Sequence, residues 1–152
     1  MRLVLDNSVL GFLLFNKPKV GQESLAAGAR QLVEEGYELL VPAPALAEAL
    51  AWLPEANRLG ALKALQAVPG LKIVPFDLAA AVVAAGLRPG KFKDRSHQKV
   101  KVDVQIIAAA VLHRADGICT ADDGFEKVVK AARCPQRVGA PVAFLHQLPL
   151  SV

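Results

Sequence analysis

Apolar and polar positions follow two rhythms along this chain, and their succession predicts its architecture. Short apolar runs at Arg2–Leu5, Glu38–Val41, Leu71–Val74 and Gly117–Cys119 read as strands. Between them the apolar positions recur at helical spacing: from Ser8 to about Phe15, over Gln22–Glu35, over the segment opened by Pro42 and Pro44 that carries Glu48, and over Glu55–Val68. Further helices are predicted from an Asp77 cap to about Leu87, over Val102–His113 and over Asp123–Ala132, and Val142–Leu145 reads as a fifth strand. The punctuation agrees. A polar linker covers Asn16–Gly21, Gly36 stops one helix, and Pro69–Gly70 makes a turn after another.

Strands separated by helical patterns imply right-handed crossovers and a mostly parallel sheet covered on both faces. The class is α/β, of about five strands, and the absence of a repeat or composition break predicts a single domain over 1–152. With 53% apolar residues and only 5% aromatic, the core must be built from Leu, Val, Ile and Ala. A chain this long buries about 70% of its unfolded surface and needs no staple. Cys119 and Cys134 form no CxxC pair and suit a reducing cytosol, so a cytoplasmic location is expected. The longest apolar stretch, Leu39–Leu53, is broken by Pro42, Pro44 and Glu48 and falls short of the roughly 20 residues of a membrane span.

One segment breaks the alternation. Arg88–Lys101 holds Arg88, Lys91, Lys93, Arg95, Lys99 and Lys101 against the single acid Asp94, and the chain as a whole carries a net charge of +4. It reads either as an RNA-guiding strip that contacts phosphates or as a solvated loop. His97 within it reads as a loop residue, and His113 and His146 as helix-end and surface positions without metal-ligand spacing.

In open parallel sheets ligands bind at the carboxyl ends of the strands, and four acids are predicted to converge there. Asp6 follows the first strand, Glu48 lies near the start of the helix after the second, Asp103 opens the helix that feeds the fourth, and Asp122 follows the fourth after Thr120 and Ala121. Asp6, Asp103 and Asp122 each have a rival explanation as helix caps, and Glu48 as a surface glutamate. Asp103 is the sharpest case, because Ile107 and Ala110 put it on an apolar helical face, where an isolated charge is costly. Gathered carboxylates raise one another's pKa values, and a divalent cation reverses that effect. An all-oxygen set suits Mg²⁺ or Mn²⁺, which can activate water against a phosphodiester.

The order and context of these acids resemble the PIN-domain family: LDNSVL at Leu5–Leu10, PALAEAL at Pro44–Leu50, KVDVQIIAAA at Lys101–Ala110 and TADDGF at Thr120–Phe125. The resemblance spans the chain and implies a three-layer α/β/α sandwich and cleavage of single-stranded RNA with Mg²⁺ or Mn²⁺. Small members resembling this one are VapC-type toxins of toxin–antitoxin pairs, commonly homodimeric and silenced by a cognate antitoxin protein. By the resemblance, Asp6, Glu48, Asp103 and Asp122 are catalytic metal ligands, and Ser8 and Thr120 support them or a bound water. Asp123 is a rival for the fourth position, reading otherwise as a helix cap. Two other classes compete with this reading. An aspartyl phosphoryl-transfer enzyme wants an Asp-x-Asp after the first strand, whereas Asp6 is followed by Asn7 and Ser8. The alternative is a catalytically silent PIN-like module that binds RNA or protein. Neither GxxxxGK[ST] nor GxGxxG occurs, which argues against a nucleotide cofactor.

Overall fold

The computed structural model describes residues 1–14 and 19–145. β1 (Arg2–Leu5) leads into α1 (Asn7–Leu14) and α2 (Glu23–Glu34), and β2 (Glu38–Pro42) into α3 (Ala43–Ala51) and α4 (Glu55–Gln66). β3 (Leu71–Val74) is followed by α5 (Leu78–Gly86) and α6 (His97–Leu112), and β4 (Gly117–Cys119) by α7 (Phe125–Ala131), β5 (Arg137–Gly139) and α8 (Pro141–Leu145). The linker expected at Asn16–Gly21 and the end of the first helix at Phe15 fall partly outside the described residues, as does His146.

The five strands form one sheet in the order β3-β2-β1-β4-β5, and every pairing is parallel. The chain starts in the middle, winds outward to β3, then crosses to the other side of β1 to lay down β4 and β5. The winding direction therefore reverses between β1 and β4. Side chains of adjacent strand residues point to opposite faces, and the core divides accordingly. Leu3, Leu5, Leu39 and Val41 pack with Val9, Leu10, Ala29, Leu32 and Phe144 on one face. Val4, Leu40 and Ile118 pack with Ile106, Ile107, Ala110, Phe125 and Val128 on the other. These two cores make the three-layer α/β/α sandwich.

Local chemistry explains the boundaries. Gly36 takes φ +74° just after α2, a conformation glycine adopts at little cost. Pro44 lies in the first turn of α3, where its missing N–H has no helical partner. Asp77 caps α5 by accepting from the Ala80 N–H at 3.0 Å, as its sequence context predicts.

Several expectations are corrected. The fifth strand lies at Arg137–Gly139, and the apolar Val142–Leu145 segment is helical. Pro141 presets the first turn of α8, and Phe144 turns inward, its carbonyl accepting the buried Tyr37 hydroxyl at 2.9 Å. Gly117 makes room for that ring, since a Cβ there would stand 2.5 Å from Phe144. The basic segment is shorter as a loop than expected. Ser96 accepts the Lys99 N–H at 3.1 Å and starts α6 at His97, so His97 is helical and Asp103 lies two turns into the helix. No helix among the described residues is long and apolar enough to cross a membrane.

Candidate active site

The reversal point between β1 and β4 leaves a crevice at their carboxyl ends, the place where ligands bind in open α/β sheets. Asp6 continues β1 there, its N–H donating to the Cys119 carbonyl of β4 at 3.0 Å. Asp122 follows β4 across the crevice. Its side chain accepts the Gly124 N–H at 2.9 Å, so it also organises the turn into α7. Asp123 is exposed, and the N-terminal residue capping α7 is Gly124, so the expectation of Asp123 as a helix cap is corrected. Asp103 reaches the crevice from α6 and Glu48 from α3, half-buried. The four acids thus come from four elements and lie within electrostatic reach of one another: Glu48 feels Asp6 and Asp103, and Asp103 feels Asp6 and Asp122.

Asp6 is 2% exposed. The Thr120 and Ser8 hydroxyls both donate to its Oδ2, at 2.8 and 2.9 Å, and the Asn7 N–H donates to Oδ1 at 2.7 Å. With both hydroxyl protons so committed, each hydroxyl oxygen is left to accept from a backbone amide. Ser8 Oγ takes the Ala121 N–H at 2.9 Å and Thr120 Oγ1 takes the Asp122 N–H at 3.0 Å. The two hydroxyls therefore tie the loop after β4 to the acid after β1. Burial pushes the Asp6 carboxyl above its ordinary range, and these donors offset that only in part. Burial raises Glu48 too, with the Asp6 and Asp103 charges adding to it.

The other two acids have a cation between them. Arg95 donates from Nε to Asp103 Oδ2 at 2.5 Å and from Nη2 to Asp122 Oδ2 at 2.8 Å, with Nη1 3.3 Å from Asp122 Oδ1. The Arg95 and Asp103 side chains are 6% and 5% exposed, so this ion pair is shielded from water. Lys99, on the rim, adds a contact of 3.0 Å to Asp122 Oδ2. Burial alone would raise Asp122, but the Arg95 and Lys99 bonds, the Gly124 N–H and the Arg95 charge together hold it well below the usual carboxylate range. Burial raises Asp103, and its bond to Arg95 opposes this without cancelling it. Gly124 leaves space for the guanidinium, because a Cβ there would stand 2.5 Å from Arg95 Nη1.

Arg95 is the residue that sequence reasoning missed, hidden among exposed lysines of the basic segment. A single aspartate on an apolar helical face calls for a counter-cation, and that was the available signal.

The donor set fits a hard divalent ion by type: four carboxylates, no His or Cys, and three of the four pushed up by burial or by their neighbours. Their present arrangement does not gather three of them. Among the described residues no group of three His, Cys, Asp or Glu side chains stands so as to hold a metal ion. Asp103 and Asp122 are turned to Arg95 instead. Beside the acids a cavity of about 450 Å³ is lined by Gly90, Lys91, Phe92, Arg95, His97 and Val100.

No curated protein matches this sequence. Among solved structures, the chain is similar to VapBC2 from Rickettsia felis bound to a DNA fragment from their promoter, with a TM-score of 0.59 and 14% identity over 91% of this chain and 98% of that one. It is also similar to VapC20 of Mycobacterium tuberculosis, a Sarcin-Ricin loop cleaving toxin, with a TM-score of 0.57 and 14% identity over 82% and 92% of the two chains. At that identity the likeness is one of fold. The PIN domain family model matches residues 3–131, which take in all four acids, and the chain belongs to the PIN domain family.

Proposed function

We propose that this protein is an endoribonuclease that hydrolyses phosphodiester bonds of single-stranded RNA with Mg²⁺ or Mn²⁺, and that it is the toxin of a toxin–antitoxin pair. The observation that carries this reading is the convergence of four carboxylates from four elements on the reversal point of the sheet, on a chain of net charge +4. Asp6, Glu48, Asp103 and Asp122 would hold the ion. When bound, it would lower the pKa of a water and neutralise charge developing on the attacked phosphate.

The chain's own residues do the positioning. Thr120 holds the first acid and the backbone of the fourth through one hydroxyl, and Ser8 doubles the grip on Asp6. Lys91, His97 and Lys99 are exposed around the crevice, where they suit phosphate contacts. Half-buried Phe92 in the adjoining cavity offers a face on which a base can stack.

The likeness to VapBC2 and VapC20 supports the toxin reading, with a cognate antitoxin as partner, and the assembly we propose is a homodimer. Exposed apolar side chains give such partners surfaces to cover: Leu78 and Val82 on α5, and Trp52 and Leu59 at α3–α4. Both cysteines are unpaired, in keeping with a cytoplasmic protein. A catalytically silent binding module is the second reading, favoured by the seat Arg95 takes among the acids.

Cleavage of a fluorescent single-stranded RNA tests the proposal. Asp103→Asn should lower metal-dependent cleavage by about 10²-fold or more, as loss of a group that stabilises transition-state charge does. Wild-type rates in the folded variant would sink the assignment.

A further inference from the structure

We propose that Arg95 is a resident counter-cation of the acid site, seated so that a divalent ion must displace it from Asp103 and Asp122 in order to bind. The inference rests on the reading that these acids take a metal.

The guanidinium already does what a metal would do. It stands between two carboxylates from different elements, makes contacts of 2.5 and 2.8 Å to them, and is shielded from water with Asp103. Two cations cannot share that seat, since like charges in a poorly solvated site repel strongly. Arg95 is also placed to leave. It belongs to the loop before α6, closed by a single bridge between Phe92 and Arg95, while Ser96 and not Arg95 caps the helix. The cavity of about 450 Å³ that Arg95 lines lies alongside, with room for the side chain outside the acids. Moving the guanidinium there would cost its ion pairs and leave α6 intact. In the metal-free chain the apparent metal affinity then equals the intrinsic one reduced by the fraction of molecules in which Arg95 has moved aside.

The test is calorimetric titration of Mn²⁺ into wild type, Arg95→Gln and, as a control for general charge, Lys99→Gln. Arg95→Gln should bind Mn²⁺ at least about tenfold more tightly, equivalent to about 1.4 kcal/mol. Lys99→Gln, which removes a half-exposed cation from the rim, should gain much less. Wild-type binding with no gain, or a loss, in Arg95→Gln overturns the proposal and leaves the metal-site reading standing. No binding to either chain overturns both. Because Arg95→Gln strands a buried Asp103, thermal melts accompany the titration. The variant should melt below wild type without metal, and Mn²⁺ should raise its midpoint by more than it raises that of wild type. A variant that stays unfolded in millimolar Mn²⁺ would show that the ion cannot replace the guanidinium and would equally overturn the proposal.

Discussion

The two halves of the acid crevice neutralise their charge by different means. Among the described residues neither Asp6 nor Glu48 has a cation in contact; Asp6 depends on two hydroxyls and a backbone amide, and Glu48 makes no side-chain hydrogen bond. Asp103 and Asp122 are bridged by Arg95, and Asp122 takes Lys99 as well. Burial acts on all four, yet only Asp122, the acid with two cations, ends below the ordinary carboxylate range. Hydroxyl donors orient a buried carboxylate without removing the cost of its charge, whereas a contacting cation can remove it. If the four acids take a divalent ion as proposed, the Asp6–Glu48 half has most to gain from it, and the Asp103–Asp122 half would give up a partner to share it.

The largest effect that would break this contrast comes from the hydroxyl side. Thr120→Val removes one donor to Asp6 and strands the Asp122 N–H, and should destabilise the fold by about 1–3 kcal/mol. If Asp6 is a metal ligand as proposed, loss of the hydroxyl that orients it should lower RNA cleavage by about 10–100-fold. Denaturant melts and cleavage rates check both, and an unchanged rate would mean that the hydroxyl does not position the acids.

A smaller effect concerns pH. Glu48 has a folded pKa above its unfolded value, so the native metal-free chain holds its proton longer, and the stability tied to this group falls as pH rises from the ordinary carboxylate range through the raised value. Asp122 has the opposite sign: its contribution is present above the unfolded pKa and is lost only as pH falls toward its depressed one. Glu48→Gln should accordingly stabilise the metal-free protein at pH 7, by about 0.5 kcal/mol once solvent screening of a half-buried group is allowed for. The gain should shrink at pH 4. Melting at the two pH values checks it, and a loss of stability at pH 7 would contradict the sign. Smallest of all, Lys99→Gln should shift the metal-free midpoint by no more than about a degree, because half-exposed ion pairs contribute little.

Much of this was legible in the residues. Strands one to four stand out because each is a short apolar run bounded by turn or capping residues, and the sheet edge then locates Asp6 and Asp122 by sequence distance alone. β5 was not legible, since Arg137–Gly139 is a short, partly exposed strand, while the apolar Val142–Leu145 imitates one and is helical only because Pro141 starts a turn that tucks in Phe144. The reach of α6 was obscured in the same way. Ser96 is a good cap, but Lys99 and Lys101 mask the apolar stripe that Val100 begins. The partnership of Arg95 with Asp103 and Asp122 is tertiary. Nothing in the local pattern separates Arg95 from Lys93, and only the fold turns one inward and leaves the other exposed.

The central claim is that the four acids at the β1–β4 reversal form one cation site. Titrating Mn²⁺ into wild type and Asp6→Asn, with folding checked by circular dichroism, tests it most directly. Asp6 has no cation in contact among the described residues, so the account predicts binding to wild type and an affinity at least about tenfold weaker in the variant. Equal affinity in the two folded chains would contradict it.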